Sequence, residues 1–226
     1  MKIAFLYTLE ANIALFKPYI TQYLGDKNVT VTHNVNEPLL QQAMKNGLTR
    51  NVSNAVHQAI VDIDKAGADY IICTCSTIGD LAESTPNVSA KVIRVDRPMT
   101  NKAITHDRIL VLAALASTLE PTLELLTACA SQKNKEPSIT TQVIPDVWAY
   151  YSAGDTERYV KGIANYINHQ DSCTDIVVLA QASMAPAMTF IHPANSNVLT
   201  SPKLCLQQIA ADVDAALGKE VTPCLN

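Results

Sequence analysis

Apolar strands and amphipathic helices alternate along the chain. Short apolar or β-branched runs predict strands, and apolar residues spaced three and four apart predict the helices between them. The predicted strands are KIAFLYT, VTVTHNV, YIICT and KVIRVD in the first half, and RILVLAALA, ITTQVI, DIVVLAQ and NVLTS in the second. Because continuous apolar strands separated by helices are typical of parallel sheets buried on both faces, the pattern predicts an α/β fold.

The two halves of the chain resemble each other. DYIICTCSTI, which begins at Asp69, aligns with DIVVLAQASM, which begins at Asp175, so that Cys75 and Gln181 correspond at an offset of 106 residues. This repeat predicts two lobes, residues 1–97 and 98–202, related by a pseudo-twofold axis. Parallel sheets bind ligands beyond the carboxyl ends of their strands, so we expect the ligand in the cleft between the lobes.

Composition narrows the class of protein. The 226 residues are 48% hydrophobic and 17% charged, with a net charge of −4, which suits a globular enzyme and gives no footprint for nucleic acid or an anionic membrane. Glu10 and Asn12 interrupt the apolar start, so we expect no signal peptide, and no segment is long enough to span a bilayer. We therefore expect a cytoplasmic protein with six free cysteines.

Cys75 is the first candidate for chemistry. It follows a predicted strand and precedes Ser76 and Thr77, either of which can cap the next helix, with Asp80 completing a weak capping box. Helix N-termini attract anions and favour a thiolate, the reactive form of cysteine. The alternative is that Cys75 only ends a buried strand, but the repeat favours the functional interpretation. Cys73 is interpreted as a buried hydrophobe, because its C-x-C motif has no second cluster to complete a zinc site.

Four short motifs carry a resemblance to a known family. They are FLYTLEAN at 5–12, CST at 75–77, ALASTLEPT at 114–122 and AQASM at 180–184. In this order they resemble the aspartate/glutamate racemase superfamily, which includes hydantoin racemase, maleate isomerase and arylmalonate decarboxylase. CST is similar to that family's C-N-T motif, and AQASM occupies the place of its G-C-T or G-C-A-G-M motif. The resemblance implies two Rossmann-like lobes, a C-terminal helix within 203–226 that packs back on the first lobe, and no cofactor.

The departure from the family lies at Gln181. Two-base racemases of this family hold the substrate carbon between two cysteines, and here the second is replaced by an amide. An amide is not an acid or a base near neutral pH, although it donates hydrogen bonds to a carboxylate or an enolate. The resemblance therefore implies an isomerase of this superfamily acting on a small carboxylate or related carbonyl compound, with Cys75 as the proton donor or acceptor, or as the nucleophile. The alternatives are a racemase with another second base, a decarboxylase of the arylmalonate type and a carboxylate-binding protein without catalysis.

Polar groups at strand ends and helix starts are the expected substrate contacts. Such groups hold anions, although each can equally cap its own helix. The candidates are Thr8, Asn12, Ser76, Thr77, Ser117, Thr118, Ala182 and Ser183. Arg97 can pair with a carboxylate, but a hinge role or a surface ion pair with nearby Asp96 is favoured. The aromatic segment 148–151 is either an apolar lid or, slightly favoured, a satellite core. The expected partner is a small carboxylate, and self-association into a homo-oligomer stays open.

Overall fold

The first half of the chain forms one parallel α/β lobe. The computed structural model describes residues 1–170, 173–195 and 197–218. The elements of this half are β1 (Lys2–Tyr7), α1 (Ala11–Leu24), β2 (Thr30–Val35), α2 (Glu37–Asn46), α3 (Arg50–Lys65), β3 (Tyr70–Cys73), α4 (Gly79–Glu83), β4 (Lys91–Arg94) and α5 (Arg97–Ala103). The four strands pair in the order β2-β1-β3-β4, all parallel.

The second half repeats this arrangement. Its elements are β5 (Arg108–Ala113), a 3-10 turn (Ala116–Thr118), α6 (Leu119–Gln132), β6 (Ser138–Val143), α7 (Val147–Ser152), α8 (Thr156–Asn168), β7 (Ile176–Leu179), a 3-10 helix (Ala182–Phe190), a 3-10 turn (Pro193–Asn195), β8 (Val198–Thr200) and α9 (Ser201–Ala216). The strand order β6-β5-β7-β8 is again fully parallel. The predicted α/β fold of two lobes, each a parallel sheet flanked by helices, is confirmed.

The repeat extends to individual hydrogen bonds. Ile3 of β1 lies opposite Tyr70 of β3, and their counterparts Ile109 and Ile176 pair in the same register. At the start of each sheet a backbone N–H donates to an aspartate, Lys2 to Asp69 at 2.6 Å and Arg108 to Asp175 at 2.9 Å. The 106-residue offset seen in the sequence is therefore a structural equivalence, and it places the ends of β3 and β7 in corresponding positions.

Helix α9 packs on the first sheet, although it follows the last strand of the second. Its buried side chains Cys205, Leu206 and Ile209 share a core with Phe5 and Ile72. Their spacing of three and four residues explains why this face is buried. Residues 219–226, including Cys224, lie outside the described residues. Within the described residues, no helix is both long and apolar enough to cross a membrane.

A buried ion pair lies beside the turn that follows Cys75, and its arginine contacts both lobes. The Arg94 Nε donates to Asp96 Oδ1 at 2.7 Å, and its Nη2 donates to Asp96 Oδ2 at 3.0 Å. The same Nη2 reaches the carbonyl oxygens of Ser76 and Pro121, each at 3.3 Å. Arg97 forms an ion pair as expected, but its partner is Glu83 and not the nearby Asp96, because Asp96 is taken by Arg94.

Candidate active site

One pocket lies between the two sheets, at the carboxyl ends of their strands. It encloses about 400 Å³ including its mouth. Fourteen residues from both lobes line it: Thr8, Leu9, Asn12, Leu40, Thr74, Cys75, Ser76, Thr77, Leu115, Thr118, Trp148, Gln181, Ala182 and Ser183. The structure therefore brings together nine of the ten predicted site residues. Ser117 is not on the pocket wall, and its buried hydroxyl has no partner within the described residues.

Cys73, the last residue of β3, and Cys75, two residues later, have different surroundings. Cys75 lines the pocket, whereas Cys73 is sealed in the core and donates a weak hydrogen bond from Sγ to the Cys75 carbonyl at 3.6 Å. Burial raises the pKa of the Cys73 thiol far above its usual range, and the neighbouring Cys75 raises it further. Cys73 is thus a neutral core residue, and Cys75 is the thiol that a ligand can meet.

The turn after Cys75 differs from the capped helix start that we expected. Helix α4 begins only at Gly79, is five residues long and receives no side-chain cap. The Ser76 hydroxyl instead donates across the cleft to the Ala180 carbonyl at 2.9 Å. Thr77 is 4% exposed, and its hydroxyl has no partner within the described residues. Tertiary contacts therefore hold this turn, and Thr77 lines the pocket without using its hydroxyl as a helix cap.

Gln181 is anchored through its amide oxygen. Its Oε1 accepts hydrogen bonds from the backbone N–H groups of Ala114 at 2.7 Å and Leu115 at 2.9 Å. Because backbone N–H groups only donate, these two bonds fix which end of the amide is the oxygen. The Nε2 group has no protein partner in the described residues, so it is available to donate to a ligand. Sequence reasoning considered Gln181 as a donor and missed that it is also an acceptor.

One aromatic side chain of α7, Trp148, forms part of the pocket wall and is backed by tyrosines. Trp148 lines the pocket and stacks on Tyr151, with ring centroids 5.2 Å apart. The Tyr151 hydroxyl donates to Asn12 Oδ1 of the first lobe at 3.3 Å, and Tyr159, next to Tyr151, bonds Ser183 at 2.8 Å. The segment thus does two things, since it packs on the core of the second lobe and also walls the pocket.

Further lining residues were missed because they come from distant or featureless stretches. Leu9 and Leu115 follow strands, Thr74 precedes Cys75, and Leu40 lies on α2. The Thr74 hydroxyl is used internally, donating to the Leu6 carbonyl at 3.0 Å. For Thr74 the adjacent Cys75 was a usable signal, whereas a leucine on α2 gives none.

The pocket carries no formal charge from fixed residues. None of the fourteen lining residues is an acid, a histidine, a lysine or an arginine. Its polar lining consists of neutral groups, namely hydroxyls, amides and the Cys75 thiol. Cys75 is the one lining residue whose side chain carries an ionisable group.

Fold and cleft together define a class of protein: paired parallel α/β lobes with corresponding strand ends facing a shared pocket, one of which presents a cysteine. No family model and no curated protein sequence matches the chain. Solved structures do match in fold. Aspartate racemase of Picrophilus torridus has 16% identity and a TM-score of 0.67, covering 97% of this chain and 95% of its own.

Two further structures agree with this similarity. Glutamate racemase of Aquifex pyrophilus has 13% identity and a TM-score of 0.62, covering 94% of this chain and 84% of its own. Allantoin racemase of Klebsiella pneumoniae has 12% identity and a TM-score of 0.61, covering 96% and 89%. The chain therefore shares its fold with these aspartate, glutamate and allantoin racemases, as its short motifs indicated.

Proposed function

We propose that the protein is a cofactor-independent isomerase that moves a proton at the carbon next to a carboxylate or related carbonyl group. The observation that carries this proposal is that Cys75 is the sole group with acid-base capacity among the lining residues of the interlobe pocket. The fold shared with several racemases supports proton transfer at carbon as the chemistry.

The proposed mechanism uses one thiol and several neutral donors. The Cys75 thiolate removes the proton from the α-carbon, and the C–H electron pair moves onto the carbonyl oxygen to form an enolate. The free N–H of Gln181 and the Thr77 hydroxyl donate to that oxygen, where negative charge develops. The Cys75 thiol then returns a proton on the same face, because Gln181 supplies no acid on the other face. Return to the α-carbon regenerates the substrate and is seen only as exchange, whereas return to a γ-carbon conjugated with the enolate gives the isomer.

Proton exchange with solvent tests this mechanism directly. Single enantiomers of 2-phenylpropionate and 5-benzylhydantoin are incubated with the protein in D₂O, and deuterium at the α-carbon is followed by NMR. We expect exchange with retained handedness, and a loss of about 10²–10⁴-fold in Cys75→Ala, the usual contribution of a positioned acid or base. The control is Cys173→Ala, since Cys173 is exposed and does not line the pocket. Exchange that survives in Cys75→Ala would refute the mechanism.

A decarboxylase of the arylmalonate type is the second candidate. The apolar side of the pocket, formed by Leu40 and Trp148, and its single thiol favour it. Loss of carbon dioxide would leave the same enolate, which Cys75 would protonate. Release of carbon dioxide from phenylmalonate, dependent on Cys75, identifies this reaction. Ligand binding without exchange or decarboxylation would instead indicate a carboxylate-binding protein.

A further inference from the structure

The pseudo-twofold repeat creates two equivalent pairs of backbone N–H groups. Thr8 and Leu9 follow β1, and at the 106-residue offset Ala114 and Leu115 follow β5. In the second lobe both N–H groups donate to Gln181 Oε1, at 2.7 and 2.9 Å. In the first lobe neither Thr8 nor Leu9 finds a partner for its N–H within the described residues. One pair is filled by the protein itself, and its counterpart is open.

The difference follows from the residue at the equivalent strand end. Gln181 has a side chain that carries a carbonyl oxygen back to the N–H pair. Cys75 occupies the matching place after β3 and has no oxygen to offer. The filled pair therefore shows what such a pair binds, because an amide oxygen is the neutral analogue of one carboxylate oxygen. Thr8 and Leu9 both line the pocket beside Cys75, as does the unpartnered Thr77 hydroxyl, which is a second polar group awaiting a ligand oxygen.

We propose that Gln181 determines specificity by filling the second oxygen-binding pair, which restricts the ligand to a single carboxylate bound at Thr8 and Leu9. The α-substituent of this ligand is apolar and carries no amine. The inference rests on the proposed function only in placing the carbon next to that carboxylate within reach of Cys75.

Charge and shape support the same ligand. A second carboxylate, or an ammonium group, would enter the pocket without an opposite charge among the lining residues, and burying an unpaired charge is costly. Apolar surface is supplied instead by Leu40, Leu115 and Trp148.

Calorimetric titration of the full chain tests this specificity without requiring turnover. The probes are 2-phenylpropionate, phenylsuccinate as the dicarboxylate and phenylalanine as the amine-bearing acid. We expect the wild type to bind 2-phenylpropionate at least about tenfold more tightly than either of the others, as the loss of one hydrogen bond to a charged group would give.

Substitutions at Gln181 assign that selectivity to its oxygen. Gln181→Ala opens the Ala114 and Leu115 pair, so the affinity for phenylsuccinate relative to 2-phenylpropionate should rise about tenfold. Gln181→Glu is the matched control, because it keeps an oxygen on the pair and should show no such rise. Gln181→Ser replaces the alanine variant if the latter does not fold.

Three results would overturn the inference: equal binding of phenylsuccinate by the wild type, the same probe preference in the alanine and glutamate variants, or no binding of 2-phenylpropionate. A failure of the proposed function would give a different experimental result. Selective binding without any deuterium exchange would leave the Gln181 inference standing and remove the acid-base role of Cys75.

Discussion

The Ser76 hydroxyl of the first lobe donates a hydrogen bond to the Ala180 carbonyl of the second lobe across 2.9 Å. Ser76 directly follows Cys75 in the chain, and Ala180 directly precedes Gln181. One buried bond between the lobes therefore sets the separation of the proposed acid-base thiol from the amide that faces the same pocket. Because both residues lie at strand ends, this bond also joins the carboxyl edges of the two sheets.

Loss of that bond should loosen the pocket. In Ser76→Ala the Ala180 carbonyl stays buried without its donor, so we expect the free energy of unfolding to fall by about 1–3 kcal/mol. Proton exchange should fall further than stability alone explains. Urea denaturation and the exchange assay measure the two effects. Ser84→Ala removes an exposed hydroxyl that bonds Leu81 at 3.3 Å, and it should change neither. Equal behaviour of the two variants would contradict this role of Ser76.

The buried ion pair behind the Cys75 turn should matter more for stability. Asp96→Asn leaves the Arg94 guanidinium buried without its counter-charge, and breaking a buried pair in this way costs about 3–5 kcal/mol. The exposed pair of Glu157 and Lys161 is the control, because Glu157→Gln should change stability by less than about 0.5 kcal/mol. Chemical denaturation measures the free energy of unfolding of both variants. A similar small decrease in the two would contradict the expectation.

The fold was predictable from the sequence because its information is local and repeated. Buried strands such as YIIC and IVVL read as continuous apolar runs, and the corresponding aspartates, Asp69 and Asp175, mark where each begins. Both aspartates accept the equivalent backbone hydrogen bond. Two independent signals therefore agreed on the same parallel topology.

The details of the site were less predictable because they depend on contacts between distant segments. Ser76 and Thr77 have the composition of a helix cap, but the Ser76 hydroxyl is taken by a carbonyl 104 residues away. Leu40 reaches the pocket from α2, which no local pattern indicates. The acceptor role of Gln181 depends on a loop 66 and 67 residues earlier. Residue type therefore indicated which side chains can form hydrogen bonds or exchange protons, but their actual partners depend on the tertiary structure.

Thiol labelling should single out Cys75. Cys75 is also buried, at 8% exposure, but it lines the pocket, whereas Cys73, Cys129 and Cys205 do not. Burial raises the thiol pKa of each of these three above its usual value, so they should react slowly with iodoacetamide. The experiment uses a chain with Cys173→Ser and Cys224→Ser, which removes the exposed thiol and the one outside the described residues. Mass spectrometry should find one rapid label, at Cys75, that 2-phenylpropionate slows. Rapid labelling of Cys73 would contradict the described burial.

Stability should decline at alkaline pH. The folded-state pKa of Cys73 and of Cys205 is raised by burial, so above an unfolded thiol pKa of about 8.5 the unfolded chain releases protons that the folded chain retains. The free energy of unfolding then falls as pH rises, by up to about 1.4 kcal/mol per pH unit for each retained proton. Urea denaturation between pH 7 and about 10.5 should show this slope. Cys205→Ala should reduce it, whereas Cys173→Ala should leave it unchanged.

A second thiol should convert exchange on one face into racemisation. Gln181→Cys places a thiol at the pseudo-twofold counterpart of Cys75, on the other lobe and in the same pocket. The enolate can then be protonated from either face, so a single enantiomer of 2-phenylpropionate should racemise about 10²-fold faster than with the wild type, the lower range for an added acid or base. Chiral chromatography measures this rate. Gln181→Ser controls for removal of the amide, because it adds a hydroxyl that is no acid or base near neutral pH. If the cysteine variant racemises the substrate no faster than the serine variant, residues 75 and 181 do not lie on opposite faces of the substrate α-carbon.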